Sequence, residues 1–107
     1  MIAFEASDLL QAQARAGRPY HEFLRVETMS MGLYVLPAGG EDLQQPHAED
    51  EVYYVLNGHG TVHVSGEDRP VVPGSIIFVG KEEVHNFHSI TETLQLLVFF
   101  APPESDL

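Results

Sequence analysis

The chain has 107 residues, five Lys and Arg against sixteen Asp and Glu, a net charge of −11 with histidine neutral, and no cysteine. That length holds one core, and the missing thiols exclude disulfides and thiolate metal sites. The charge repels phosphate backbones and anionic membrane surfaces, so no nucleic-acid or membrane partner is expected.

The first predicted element is a short helix over Ser7 to Gly17. Ser7 can cap it, Asp8 suits the positive end of its dipole, and Gly17 can end it in the left-handed conformation. Pro19 stops any continuation. Strands follow at Tyr20–Val26, Gly32–Leu36, Val52–Leu56, Thr61–Ser65, Ser75–Val79, Val84–Ser89 and Leu94–Phe100, with a short one around Arg69–Val72. Gly39-Gly40, Gly58-His59-Gly60, Ser65-Gly66 and Pro73-Gly74 read as the turns between them. Many short strands after one helix give an all-β sandwich or barrel. The expected division is 1–30 for the helix and edge strand, 31–101 for the barrel, and 102–107 for a flexible tail. The longest apolar run, Leu96 to Ala101, is too short to cross a bilayer. No basic and then apolar leader follows Met1, and the expected location is cytoplasmic.

One segment carries chemistry on its face: Gln45-Pro46-His47-Ala48-Glu49-Asp50-Glu51. On an extended chain Gln45, His47, Glu49 and Glu51 point to one side, converging an imidazole with oxygen donors. Imidazole with carboxylate suits a divalent transition metal. An exposed acidic turn with one solvated histidine is the other reading of the same residues. No Lys or Arg occurs from Val26 through Asp68, while eight acids do, Asp68 included. The acids serve solubility first and a cation site second.

The wider spacing is Gly39-x5-Gln45-x-His47-x3-Glu51-x6-Gly58, followed by Gly74-x5-Gly80-x-Glu82-x2-His85-x3-Ser89. The first run resembles the first motif of the cupin superfamily, Gly-x5-His-x-His-x3,4-Glu-x6-Gly. The second resembles its second motif, Gly-x5-Pro-x-Gly-x2-His-x3-Asn, with Gly80, Glu82 and Ser89 as departures. The resemblance spans roughly Tyr34 to Phe100. It implies a cupin-type double-stranded β-helix, a jelly-roll barrel, with one divalent ion per chain (Fe, Mn, Ni or Zn). By position the implied ligands are Gln45, His47, Glu51 and His85, with Gln45 standing where the family has histidine. A set of two histidines and one carboxylate leaves coordination positions open.

Around that implied site, Tyr53 shares parity with Glu51, and His63 lies on the polar face of its strand. Both are the candidate catalytic residues. His88 should face away from His85, and Glu49 reads as a loop acid or spare ligand. The resemblance implies a metal-dependent enzyme, dioxygenase-like or related, acting on a small organic molecule. The alternatives are a non-catalytic module binding a small molecule or metal, and a metal-free structural barrel. Small cupins commonly pair through their sheets. With apolar Ile2 and Phe4 and the strand Tyr20–Val26 able to dock beyond one barrel, a homodimer is the expected assembly.

Overall fold

The computed structural model describes residues 1–105, so the expected tail at 102–107 falls partly, at Asp106 and Leu107, outside the described residues. The elements are α1 (Ala6–Ala16), β1 (Tyr20–Val26), β2 (Met29–Leu36), β3 (Asp50–Val64), β4 (Glu67–Val71), β5 (Ile76–Val79) and β6 (His85–Ala101). The molecule is all-β apart from α1. That helix begins at Ala6, one residue before the predicted cap Ser7, and its N-cap is Glu5, which makes no side-chain capping bond. Gly17 ends it as expected, at φ 69° with its N–H donating to the Gln13 carbonyl.

All strand pairings are antiparallel, in the order β1-β2-β6-β3-β4, with β5 pairing β3 as a branch. Two predicted pairs of strands are single long ones. Val52–Leu56 and Thr61–Ser65 both lie in the 15-residue β3, and Val84–Ser89 and Leu94–Phe100 both lie in the 17-residue β6. The Gly58-His59-Gly60 signal marks a bend, not a reversal. The β3–β6 register slips three times between Val55 and Thr61, which folds the ribbon over without breaking it. Gly58 permits the bend, at φ 100°, and a Cβ there would strike the Thr93 carbonyl.

Bending splits each long strand into two arms. The first arm of β3 (Asp50–Val55) pairs with the last arm of β6 (Leu96–Ala101), and the second arm of β3 pairs with the first arm of β6. The two paired arms form facing walls, and the core fills the space between them. Inward positions alternate with outward ones: Glu51, Tyr53 and Val55 are buried, while Val52 and Tyr54 are less so. On β6 the buried set includes Phe87, Leu94, Leu96, Val98 and Phe100. Among the described residues Asp42, Glu49, Glu51 and His85 are the charged or imidazole side chains buried with it, and of these Glu51 (1% exposed) and His85 (3%) stand on the strands. Being inward-facing on opposite walls, they meet across the barrel.

Candidate metal centre

Glu51 comes from the first arm of β3, and His85 is the first residue of β6. His47 lies in the loop that leads into β3. Two backbone-level ties hold this loop against the turn before β6: the Glu82 N–H donates to the His47 carbonyl (2.7 Å), and the Lys81 N–H donates to Asp50 Oδ1 (2.9 Å). The turn is closed by Gly80 N–H donating to Glu83 Oε2 (2.6 Å). The donor atoms of His47, Glu51 and His85 all lie within 4.8 Å of one another.

The bonding of these atoms tests whether a metal ion fits. His85 Nδ1–H donates to the Glu83 carbonyl (2.9 Å), which fixes the tautomer and leaves the Nε2 lone pair facing inward. Nε2 lies 2.8 Å from Glu51 Oε1 but without the alignment of a hydrogen bond, and among the described residues neither it nor either Glu51 oxygen has a hydrogen-bond partner. A buried carboxylate with both oxygens unsatisfied is a costly arrangement, about 1–3 kcal/mol or more for the charged group. Coordination to a divalent cation satisfies all three atoms together. Burial of the His85 ring acts to lower its pKa, but the Glu51 carboxylate and the Glu83 carbonyl outweigh it, and the net direction is upward.

Gln45, placed fourth in the ligand set by spacing, is exposed. Its neighbour Gln44 occupies the interior position instead. Gln44 Oε1 accepts from the Tyr53 hydroxyl (3.0 Å) and lies 3.3 Å from His47 Nε2. The parity argument failed here because residues 41–49 form no strand, so alternation does not carry across Pro46 from β3. Asp42 orients the amide: its Oδ2 accepts from Gln44 Nε2 (2.8 Å), which turns Oε1 toward His47. The same buried carboxylate accepts from Tyr34 Oη (2.7 Å) and the Phe87 N–H (2.8 Å). Asp42 was missed in the sequence. Its one signal is that it stands two residues before Gln44, on the same side of an extended segment.

Tyr53 is fully buried, with its hydroxyl donating to Gln44 Oε1 and its ring centroid 6.2 Å from that of His85. Burial first, then the Glu51 carboxylate, push its pKa well up, so it stays a donor. His63 is not brought to the site. It lies on the outer face of β3, with Nδ1 3.0 Å from Asp68 Oδ1. His88 Nε2 approaches the same oxygen at 2.8 Å, as its outward expectation required. Glu49 is not the solvated loop acid expected. It is buried, and Oε2 accepts from the N–H and Oγ of Ser105 (3.3 and 2.6 Å).

A cavity of about 160 Å³ adjoins the centre, with His47 and Gln44 in its lining. Residues after β6 reach its rim. The Glu104 N–H donates to Ser30 Oγ (2.9 Å), Arg25 donates to the Glu104 carbonyl (2.9 Å), and Glu104 Oε2 lies 3.6 Å from His47 Nδ1. Glu104, the second residue missed in the sequence, sits in a segment whose composition reads only as a tail.

Several known proteins resemble this chain. A family model described as the cupin domain matches residues 32–100. An uncharacterized protein of Streptomyces coelicolor is 45% identical over 105 residues, covering 98% of this chain and 100% of that one. An oxalate-binding protein of Thermotoga maritima is 32% identical over 57 residues, 53% of this chain and 47% of its own length. Among solved structures, TT1209 of Thermus thermophilus superposes with a TM-score of 0.75 at 26% identity, over 96% of this chain and 99% of that one.

Proposed function

The chain belongs to the cupin-domain family, and on that premise we propose that it is a small metal-dependent enzyme, dioxygenase-like or related, acting on a small organic molecule. The carrying observation is the group of buried donor atoms without hydrogen-bond partners on Glu51 and His85, within 4.8 Å of a His47 donor. His47, Glu51 and His85 would hold one divalent ion, Fe, Mn, Ni or Zn, with the Gln44 amide oxygen as the fourth donor. The ion would supply Lewis-acid or redox chemistry. The chain's own contribution is positioning. Asp42 and Tyr53 fix Gln44 from two sides, Glu83 fixes His85, and the apolar walls keep water from the donors.

A non-catalytic binding module is the second reading, favoured by the oxalate-binding relative, which matches about half of this chain. Oxalate itself suits this cavity poorly, since none of its lining residues is Lys or Arg and one is Glu104. Metal analysis of protein purified without chelator or affinity tag, followed by an oxygen-uptake screen with the bound metal, separates the readings. About one ion per chain with substrate-dependent uptake supports the enzyme. One ion without turnover of any compound supports the binding module, and no uptake of any divalent metal overturns the metal-dependent enzyme.

A homodimer in the cytoplasm belongs to the same proposal. β1 ends the strand order and offers a sheet edge. Ile2 is exposed, as are Ile76 and Phe78 on β5. Phe4 is partly engaged within the chain, with its ring 4.9 Å from that of Phe23. No helix among the described residues is long and apolar enough to cross a membrane. Light scattering at micromolar concentration showing only a ~12 kDa species would exclude the dimer.

A further inference from the structure

We propose that the cavity beside the metal centre takes a small single-ring molecule that carries no negative charge, and that Glu104 sets this selectivity. The inference rests on the metal-centre reading for the location of the site, and on the cavity's own lining for its chemistry.

Size limits the ligand first. The cavity measures about 160 Å³, and an apolar cavity of roughly 150 Å³ holds one benzene ring. Tyr34, Val98 and Phe100 form its apolar walls. The Phe100 ring stands edge-on to the His47 imidazole, centroids 5.1 Å apart and planes at 71°, so a ring entering here lies against aromatic surface beside the metal donors.

Polarity limits it next. Tyr20 also lines the cavity, and its hydroxyl is buried with no hydrogen-bond partner among the described residues. Gly32 makes room for this ring, since a Cβ at that position would collide with it. Burial, then the negative charges of Glu104, Glu22 and Glu51, raise the Tyr20 pKa, so the hydroxyl is a donor in need of an acceptor. An oxygen on the ligand supplies one.

Charge decides the class. None of the residues lining the cavity is Lys or Arg. Arg25, the nearest cation in the chain's contacts, is exposed and engaged by Glu22 Oε1 (2.9 Å) and the Glu104 carbonyl (2.9 Å). The Glu104 backbone is anchored at Ser30, and Ser105 next to it is anchored at Glu49, which together hold the carboxyl group at the rim near His47. A divalent cation held by Glu51 is offset by the Glu51 and Glu104 carboxylates together, with Asp42 adding a further negative charge behind Gln44. An anion therefore meets no net positive charge with metal or without it.

Phenol and benzoate, similar in ring size and different in charge at neutral pH, are the probes. Ligand-observed NMR titrates each into the full chain, metal-stripped and Zn²⁺-loaded, with Zn²⁺ content measured on the same samples. Phenol is expected to bind at least tenfold more tightly than benzoate in both states. Glu104→Gln is expected to narrow the ratio to about threefold. Tyr20→Phe is expected to weaken phenol about fivefold while leaving toluene unchanged. Equal binding of the two probes to the wild type, an unchanged ratio in Glu104→Gln, or binding of neither overturns the inference. A chain that holds no Zn²⁺ and still prefers phenol keeps it and removes only the metal-centre reading.

Discussion

The molecule contains two clusters built from the same parts, two histidines and one carboxylate. One is His47, Glu51 and His85 inside the barrel; the other is His63, Asp68 and His88 on its outer face. In the outer cluster a single Asp68 oxygen serves both imidazoles, and the residues are one-third exposed or more. Each partner is satisfied, and water can complete the rest. In the inner cluster Glu51 and His85 are each 1% exposed in the side chain, and their facing atoms have no hydrogen bond. Residue type therefore does not distinguish a site from a surface ion pair. Burial without satisfaction does, because only there does an added ligand recover a large desolvation cost.

The comparison breaks most readily on metal binding. His85→Ala should lower affinity for Mn²⁺ or Ni²⁺ by a hundredfold or more by titration calorimetry, while the double variant His63→Ala/His88→Ala should match the wild type. Equal loss in both would make the outer cluster the site. Gln44→Ala should weaken binding by a smaller factor, about tenfold, and Gln45→Ala should not change it, since Gln45 is exposed. A reversed order would restore the ligand set given by motif spacing.

Stability sharpens the same contrast. A divalent ion at a hundred times its dissociation constant should stabilise the wild type by about 2.7 kcal/mol, seen as a raised Tm. The shift should vanish in His85→Ala and persist in Asp68→Asn.

Each cluster is also flanked by a non-glycine residue in the left-handed region. Glu82, at φ 63°, stands in the turn before His85, and Ser89, at φ 51°, follows His88. These two positions are where the chain departs from the family's glycine and asparagine, and the backbone shows why the family has those residues. Glu82→Gly should raise stability by about 1 kcal/mol, and Ser89→Asn by about 0.5 kcal/mol. Chemical denaturation reads both, with metal affinity unchanged.

The smallest expected effect is electrostatic. His88 first, and then His63, hold the Asp68 carboxyl below its ordinary pKa of 3.8. A depressed carboxyl contributes stability above its unfolded pKa and loses it as pH falls through the lower folded value. The change should thus fall below pH 4 and be screened by salt, since Asp68 is exposed. Its carboxyl ¹³C titration should move up in His88→Ala.

Much of this was legible in the sequence. The helix and its Gly17 stop, the β content, and His47, Glu51 and His85 all follow from residue type, punctuation and motif spacing. Those signals are local, or are kept at fixed spacing because one fold repeats them. The number of strands was not legible. Gly58 and Gly60 are as compatible with a bend as with a reversal, and only the pairing of β3 with β6 selects the bend. Which glutamine faces the interior was not legible either. Two adjacent glutamines offer the same amide, and Asp42, held by Tyr34 and the Phe87 N–H from other strands, decides which one faces inward. Nor was the role of Glu104, which reaches His47 through anchors at Ser30 and Arg25 that are distant in the chain. By itself the sequence determined the helix, the β content and, through the resemblance to the two motifs, the places of His47, Glu51 and His85, because propensity and spacing act along the chain. Tertiary structure decided which of two histidine–carboxylate clusters is dry and unsatisfied, because burial depends on what packs across from a residue and not on what stands next to it.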